Sequence, residues 1–257
     1  MSPFVTVAIS TFDARIENIN IPRHSGALGY FIIHQVLNKE EFNTDHLERH
    51  DVKVISLDKI GLSLSRNNAL KKCQTRYIYI MDDDVDLNPD KILQLIDVME
   101  KESVDVGTCQ HRYENGESPV NYKSHPFEHT MLSVAKVSSI DICVNIESIR
   151  EKGISFDERF GLGTDLPSGE EFIFLTDCIK SGLKVKYYPI LVSKHPNVTS
   201  GLDFYSNYNK TLAKREMLKR VFGWKAAFFI FAFWLKKLKV VSKAGFFIPF
   251  TKTMLFG

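Results

Sequence analysis

Cysteine is scarce in this chain and poorly spaced for chemistry. Its four cysteines, Cys73, Cys109, Cys143 and Cys178, lie far apart and match no zinc-binding spacing. They read as reduced, mostly buried thiols of a cytosolic protein. Long hydrophobic runs are missing too: the uninterrupted apolar stretch 226–235 has ten residues, half of what spans a bilayer. The N-terminal segment MSPFVTVAIS has no basic leader and no cleavage site, so no signal peptide is expected there. There is no internal repeat and no low-complexity linker. The formal net charge is only +2 over 257 residues, which argues against a uniform nucleic-acid-binding surface.

That small net charge hides an asymmetry. Residues 204–257 hold 11 Lys and Arg against one acid, Glu216, while residues 1–203 carry about −8. The pattern is a neutral-to-acidic body with a basic, aromatic tail. The chain is 44% hydrophobic, ample for one large α/β domain or one domain plus an appendage. β-rich apolar runs at 5–12, 30–36, 52–57, 77–81 and 104–109 read as strands. Helical spacing covers 64–73, and Asn88-Pro89-Asp90 predicts a helix start: Asn88 as cap, Pro89 at the first helical position, Asp90 at the positive end of the dipole. That helix runs to about 102. The stretch 110–135 is polar and loop-like, with His111, His125 and His129. A helix is expected over 168–181, closed by Gly182, and a strand over 185–192 whose Pro189 marks an edge or a bulge. Alternating strands and helices predict a doubly wound, mainly parallel sheet, with ligands beyond the carboxyl ends of its strands.

At one such end stand Asp82-Asp83-Asp84. Three adjacent carboxylates repel one another and call for positive compensation. A Mg²⁺ or Mn²⁺ ion carrying a diphosphate needs hard oxygen ligands and open positions, which one or two such carboxylates supply. An EF-hand loop from Asp82 fails, because it would need Gly and Glu where Leu87 and Leu93 stand. An aspartyl-phosphate phosphatase would carry its acidic motif on the first strand. A solvated acidic turn is the plain alternative.

Before the acids stands GLSLSRNNAL (61–70), and downstream FGLGTDLPSGEEF (160–172). In this order and spacing, with a first strand ending in Ser10-Thr11, the pieces resemble the inverting glycosyltransferases of family 2, over about residues 4–200. The resemblance implies a nucleotide-sugar-binding GT-A fold with a donor half at about 1–109 and an acceptor half at about 110–203. It implies that Thr11 and the end of the second strand line the nucleoside pocket. Arg66 and Asn67 would approach uracil or ribose, Asp82 or Asp83 would meet the ribose, and Asp84, with Asp82, would bind Mn²⁺ or Mg²⁺. Arg66 offers a rigid donor fork suited to such a place, or to a surface ion pair. The family often has an Asp after its second strand; here His34 or Gln35, or Asp58 from the next strand, would take its place. His195 matches a further metal or diphosphate ligand, or is a surface histidine.

An inverting transferase needs a carboxylate beside the acceptor hydroxyl. By position Glu171 matches that base, with Glu170 as the alternative. Ser168-Gly169-Glu170-Glu171 also reads as a capping box, which would explain Ser168 and Glu171 without chemistry. Gly161 and Gly163 would let their loop approach sugar or acceptor closely. The tail VFGWKAAFFIFAFWL (221–235), followed by lysines, suits an interfacial helix on an anionic inner leaflet, or one packed on the catalytic domain. The implied function is metal-dependent transfer of a sugar from UDP, or another nucleotide diphosphate, to a glycan or lipid-linked acceptor in envelope polysaccharide assembly. It would take place on the cytoplasmic face of the membrane, with no nucleic acid involved. Two rivals remain. A nucleotidyltransferase would want a Gly-rich basic loop after the first strand, where only Gly26 is near; a non-catalytic nucleotide-binding or membrane scaffold would bind without turnover.

Overall fold

The computed structural model describes residues 4–22, 26–37, 41–197 and 207–257. Strands β1 (Val5–Phe12), β2 (Leu28–Gln35), β3 (Val52–Leu57) and β4 (Tyr77–Asp82) form its parallel half, in the order β3-β2-β1-β4. Side chains alternate between two buried faces. Val5, Val7 and Ile9 with Tyr77, Tyr79 and Met81 meet helix α2 (Pro89–Lys101). Ala8, Ile78 and Ile80 meet helices α1 (Leu62–Lys72), α3 (Ile146–Lys152) and α4 (Glu170–Lys180). Burial on both faces explains why these strands read as unbroken apolar runs. Asn88 caps α2 as its sequence predicts, its side chain accepting from the Lys91 N–H, with Pro89 in the first turn.

The other half reverses direction. Strand β8 (Ile142–Asn145) runs antiparallel between β4 and β6 (Val106–Tyr113), and β9 (Val185–His195) runs parallel to β6. Two-residue strands β5 (Asp86–Leu87) and β7 (Phe127–Glu128) lie antiparallel on β9. The longer pairings are therefore parallel, and the antiparallel ones are short. Strand β6 runs four residues past the expected end at 109, so His111 belongs to the sheet and not to a loop. Pro189 meets both expectations for it. The β6–β9 register slips opposite it, and on the other side of β9 it falls between the residues paired with β7 and those paired with β5.

The expected boundary near 204 lies outside the described residues. Beyond it, α5 (Tyr208–Phe222), α6 (Ala226–Lys243) and α7 (Phe247–Phe256) pack on one another and on the α4 side of the sheet. Met217, Leu218, Val221, Ala226, Ile230, Phe250 and Met254 join that core. Trp224, Phe228, Ile248 and Phe256 are left exposed. The tail thus has both a packed face and an apolar exposed one. Among the described residues, no helix is long and apolar enough to cross a membrane.

Candidate active site

Strand β4 ends at Asp82, opposite Ser10 and two residues short of the end of β1, so the carboxyl ends of both strands open onto the same space. That space is a cleft of about 970 Å³. Its walls come from the ends of β1, β2 and β4, the start of α4, and the ends of β6 and β9.

Each of the three acids has a cationic partner. Arg66, on α1 and fully buried, donates from Nη2 to Asp82 Oδ1 at 3.1 Å and from Nη1 to Glu170 Oε1 at 2.9 Å. Burial alone would lower the pKa of its guanidinium, but the charges of Asp82, Glu170 and Glu171 raise it instead. Burial pushes the Asp82 carboxyl up, beyond what Arg66 restores. Arg66 Nε and Glu170 Oε2 are buried with no partner among the described residues, an arrangement that a merely structural ion pair would avoid. Asp83 accepts from Thr11 Oγ1 at 2.7 Å and from Arg15 Nε at 2.8 Å. Arg15 Nη2 also reaches Asp84 Oδ2 at 3.2 Å. These bonds, to Asp83 first, raise the Arg15 guanidinium pKa. His195 Nε2 lies 3.6 Å from Asp84 Oδ1. Its Nδ1 is 2.7 Å from the Pro196 carbonyl, which can only accept. Nδ1 therefore carries a proton, donated to that carbonyl, and Nε2 is the nitrogen that faces Asp84.

Glu170 and Glu171 open α4, but not as a capping box. The helix cap is Gly169, with φ +101° and no side-chain cap bond, so Ser168 does not cap and capping does not account for Glu171. A left-handed residue is needed there. A Cβ at Gly169 would come 2.7 Å from Met217 Sδ, which presses α5 against the start of α4. Glu170 is committed to Arg66, whereas Glu171 lines the cleft without such a partner. Burial, then the adjacent Glu170 charge, pushes the Glu171 carboxyl up to about 8. Lys214 of α5 opposes this with its charge, although its own burial lowers its pKa.

Several expected residues stand elsewhere. Asn67 is outside the cleft: its amide bonds Phe156 O and Glu158 Oε1 at 2.9 Å and accepts from Phe156 N at 2.8 Å, pinning the loop before α4. The expectation that it approaches uracil or ribose is corrected. His34 is also off the cleft wall. Its Nε2 donates to the Asp13 carbonyl at 2.9 Å, holding the left-handed Asp13 (φ +43°) that starts the turn bearing Arg15. Gln35 does line the cleft, its Oε1 accepting from Gly61 N at 2.6 Å. Gly161, at φ +108°, lies against α1, since a Cβ there would meet Ser63 Oγ at 3.2 Å. His129 faces the interior between Thr108 and Ser133, and burial lowers its pKa to about 4. His111 lines the cleft. Sequence reasoning missed Arg15, Asp141 and Tyr122 as site residues. Arg15 lies 68 positions from Asp83 on a turn without a motif. Asp141, just ahead of β8, reaches His111 through the β6–β8 pairing, and Tyr122 reaches it from the segment that follows β6.

Residues 37–160 match the family model described as glycosyl transferase family 2. No curated protein matches the chain in sequence. Among solved structures, S. aureus TarS superimposes with TM-score 0.59 at 16% identity, over 86% of this chain and 44% of that one. The chain therefore spans less than half the length of that relative. S. aureus TarS 1–349 in complex with UDP gives 0.60 at 15% identity, over 84% of this chain and 66% of that one. The same fragment in complex with UDP-GlcNAc gives 0.64 at 12% identity, over 97% and 90%. The matched segment contains Arg66 and all three acids, the fold is the GT-A fold of those structures, and over residues 37–160 the chain is similar to glycosyl transferase family 2.

Proposed function

We propose that the cleft binds a nucleotide-sugar and transfers its sugar, with inversion, to a hydroxyl of a glycan or lipid-linked acceptor. The observation that carries the reading is the cleft itself: strand-end acids and a basic carboxylate, Glu171, line the same wall system. The acceptor oxygen forms a bond to the anomeric carbon as the bond from that carbon to the β-phosphate oxygen breaks. The electron pair leaves on the diphosphate, and Glu171 takes the acceptor's proton. A carboxyl titrating near 8 is a far stronger base than an ordinary one, and Glu170, held by Arg66, keeps it so. Thr11 and Gln35 border the nucleoside end, and Arg66 fixes Asp82 toward the ribose. UDP is the nucleotide favoured, on the strength of the TarS complexes.

Asp84 and His195 fit a Mn²⁺ or Mg²⁺ ion, with one hard carboxylate and one imidazole whose other nitrogen is already oriented by a carbonyl. Asp82 is turned to Arg66 and fits that role less well. When bound, such an ion supplies positive charge to a diphosphate. The exposed aromatics of the C-terminal helices, with Lys225, Lys236, Lys239 and Lys243, support seating on an anionic membrane surface at the cytoplasmic face, where a lipid-linked acceptor would be met in envelope polysaccharide assembly.

Calorimetric titration of UDP with Mn²⁺, with and without EDTA, tests the donor site in wild type and Asp84→Asn. Metal-dependent binding lost in the variant is expected. Absence of binding to UDP, GDP and dTDP alike sinks the reading.

A further inference from the structure

The cleft is rich in negative charge for a place that receives phosphates. Among the described residues, five that line it are carboxylates, Asp82, Asp83, Asp84, Glu170 and Glu171, and two are Lys or Arg. A diphosphate entering between such walls meets like charge, so it needs a cation with open N–H groups. Arg66 does not offer one. Its side chain is 1% exposed, and its Nη1 and Nη2 already bond Glu170 and Asp82. Of the side chains charged at every working pH, that leaves Arg15, which is 57% exposed.

Arg15 is also set in place beforehand. Its turn, Asp13–Asn18, is anchored by the fully buried Ile16 and by the bond from His34 to the Asp13 carbonyl. Asp83, 6% exposed and itself bonded by Thr11, accepts from Nε and Nη2, which are one edge of the guanidinium. Nη2 also touches Asp84 Oδ2 at 3.2 Å, while Asp84 Oδ1 faces His195. Among the described residues no hydrogen bond engages Nη1. The guanidinium is thus tied to the wall by one edge and keeps a free nitrogen, beside the carboxylate assigned to the ion. A planar fork held in this way matches the oxygens of a phosphate.

We propose that Arg15, held by Asp83, binds the diphosphate of the nucleotide-sugar through Nη1 and Nη2. The inference rests on the nucleotide-sugar reading of the cleft. Without a nucleotide, Arg15 and an ion at Asp84 repel each other, and a diphosphate shared by the two turns that repulsion into attraction. As the sugar departs, the electron pair goes to the β-phosphate oxygen and the acceptor proton to Glu171, while the guanidinium keeps all its protons.

Uridine lacks both phosphates and UDP has them, so their affinities isolate the contact. At saturating Mn²⁺, Arg15→Ala should lose about tenfold or more in calorimetric UDP affinity, the worth of a charge-assisted hydrogen bond. Its uridine affinity, read by ligand-observed NMR titration, should stay unchanged, and Mn²⁺ alone should bind no more weakly than to wild type. Arg15→Lys keeps the charge but not the fork and should recover part of the loss. Unchanged UDP affinity, or equal losses for UDP and uridine, overturns the role of Arg15 while leaving the nucleotide site intact. Wild type binding no nucleoside diphosphate overturns the site reading, and this inference with it.

Discussion

Asp82 is adjacent to Asp83 and Asp84, and each end of this short run has its own arginine, yet the two arginines differ in kind. The Arg66 side chain is 1% exposed, fixed between two carboxylates and under the Phe156 ring. The Arg15 side chain is 57% exposed, on a turn, and clasps Asp83 and Asp84 from the solvent side. A buried cation of this sort is permanent, because removing it strands charges in a low dielectric. An exposed one competes with water and with any incoming ion. The same row of acids thus has a fixed end, which sets geometry, and an exchangeable end, which a ligand can claim.

The largest effect is expected at the fixed end. Arg66→Met leaves Glu170 and Asp82 uncompensated and should cost about 3–5 kcal/mol in chemical denaturation, with loss of activity. Full stability in that variant would break the comparison.

Next comes Glu171, the proposed base, beside that fixed end. Glu171→Gln should lower kcat by about 10²–10⁴ while nucleotide affinity is kept. In wild type the transfer rate should climb with pH and level off above about 8, as the carboxyl ionises. Stability should move the other way. Because the folded-state pKa is raised above the ordinary 4.5, the native chain holds an extra proton from there to about 8, and raising pH through that window costs stability. Glu171→Gln should remove this loss, read as a melting temperature that falls less between pH 5 and 9.

At the exchangeable end, Arg15→Ala should change stability by less than about 1 kcal/mol. It should tighten Mn²⁺ binding several-fold without nucleotide, because a competing cation is gone. Unchanged Mn²⁺ affinity would remove the distinction between the two ends. The smallest test is indirect. Gly169→Ala must push Met217 aside at φ +101° and should cost about 1–3 kcal/mol, with a moderate drop in kcat as α4 shifts.

The fixed half was easier to read in the sequence than the exchangeable one. Buried strands announce themselves as apolar runs, so β1, β3 and β4 follow from composition, and Asn88-Pro89 places α2 to the residue. Arg66, Asp82, Glu170 and Glu171 fall in recognisable motifs at such ends. Asn67 sits in the same motif but one helix position on, which turns it away from the cleft and toward Phe156. Arg15 and Asp141 had no local signal, since they meet their partners across 68 and 30 positions, and Tyr122 reaches His111 and Asp141 from a segment without regular structure. Strand β8 and helix α3 were not foreseen, being too short for a period to show. The capping pattern at Ser168 failed because tertiary packing of Met217 decides where α4 begins.

Pro189 has a consequence for how these molecules meet one another. A strand whose outer edge is bare can recruit the same strand from a second copy, the first step toward a growing aggregate. On β9, β5 and β7 already occupy the two ends of that edge, and the gap between them holds a residue with no N–H to offer. An intruding strand would find no continuous row of donors and acceptors to copy along β9, so on that side the sheet ends there.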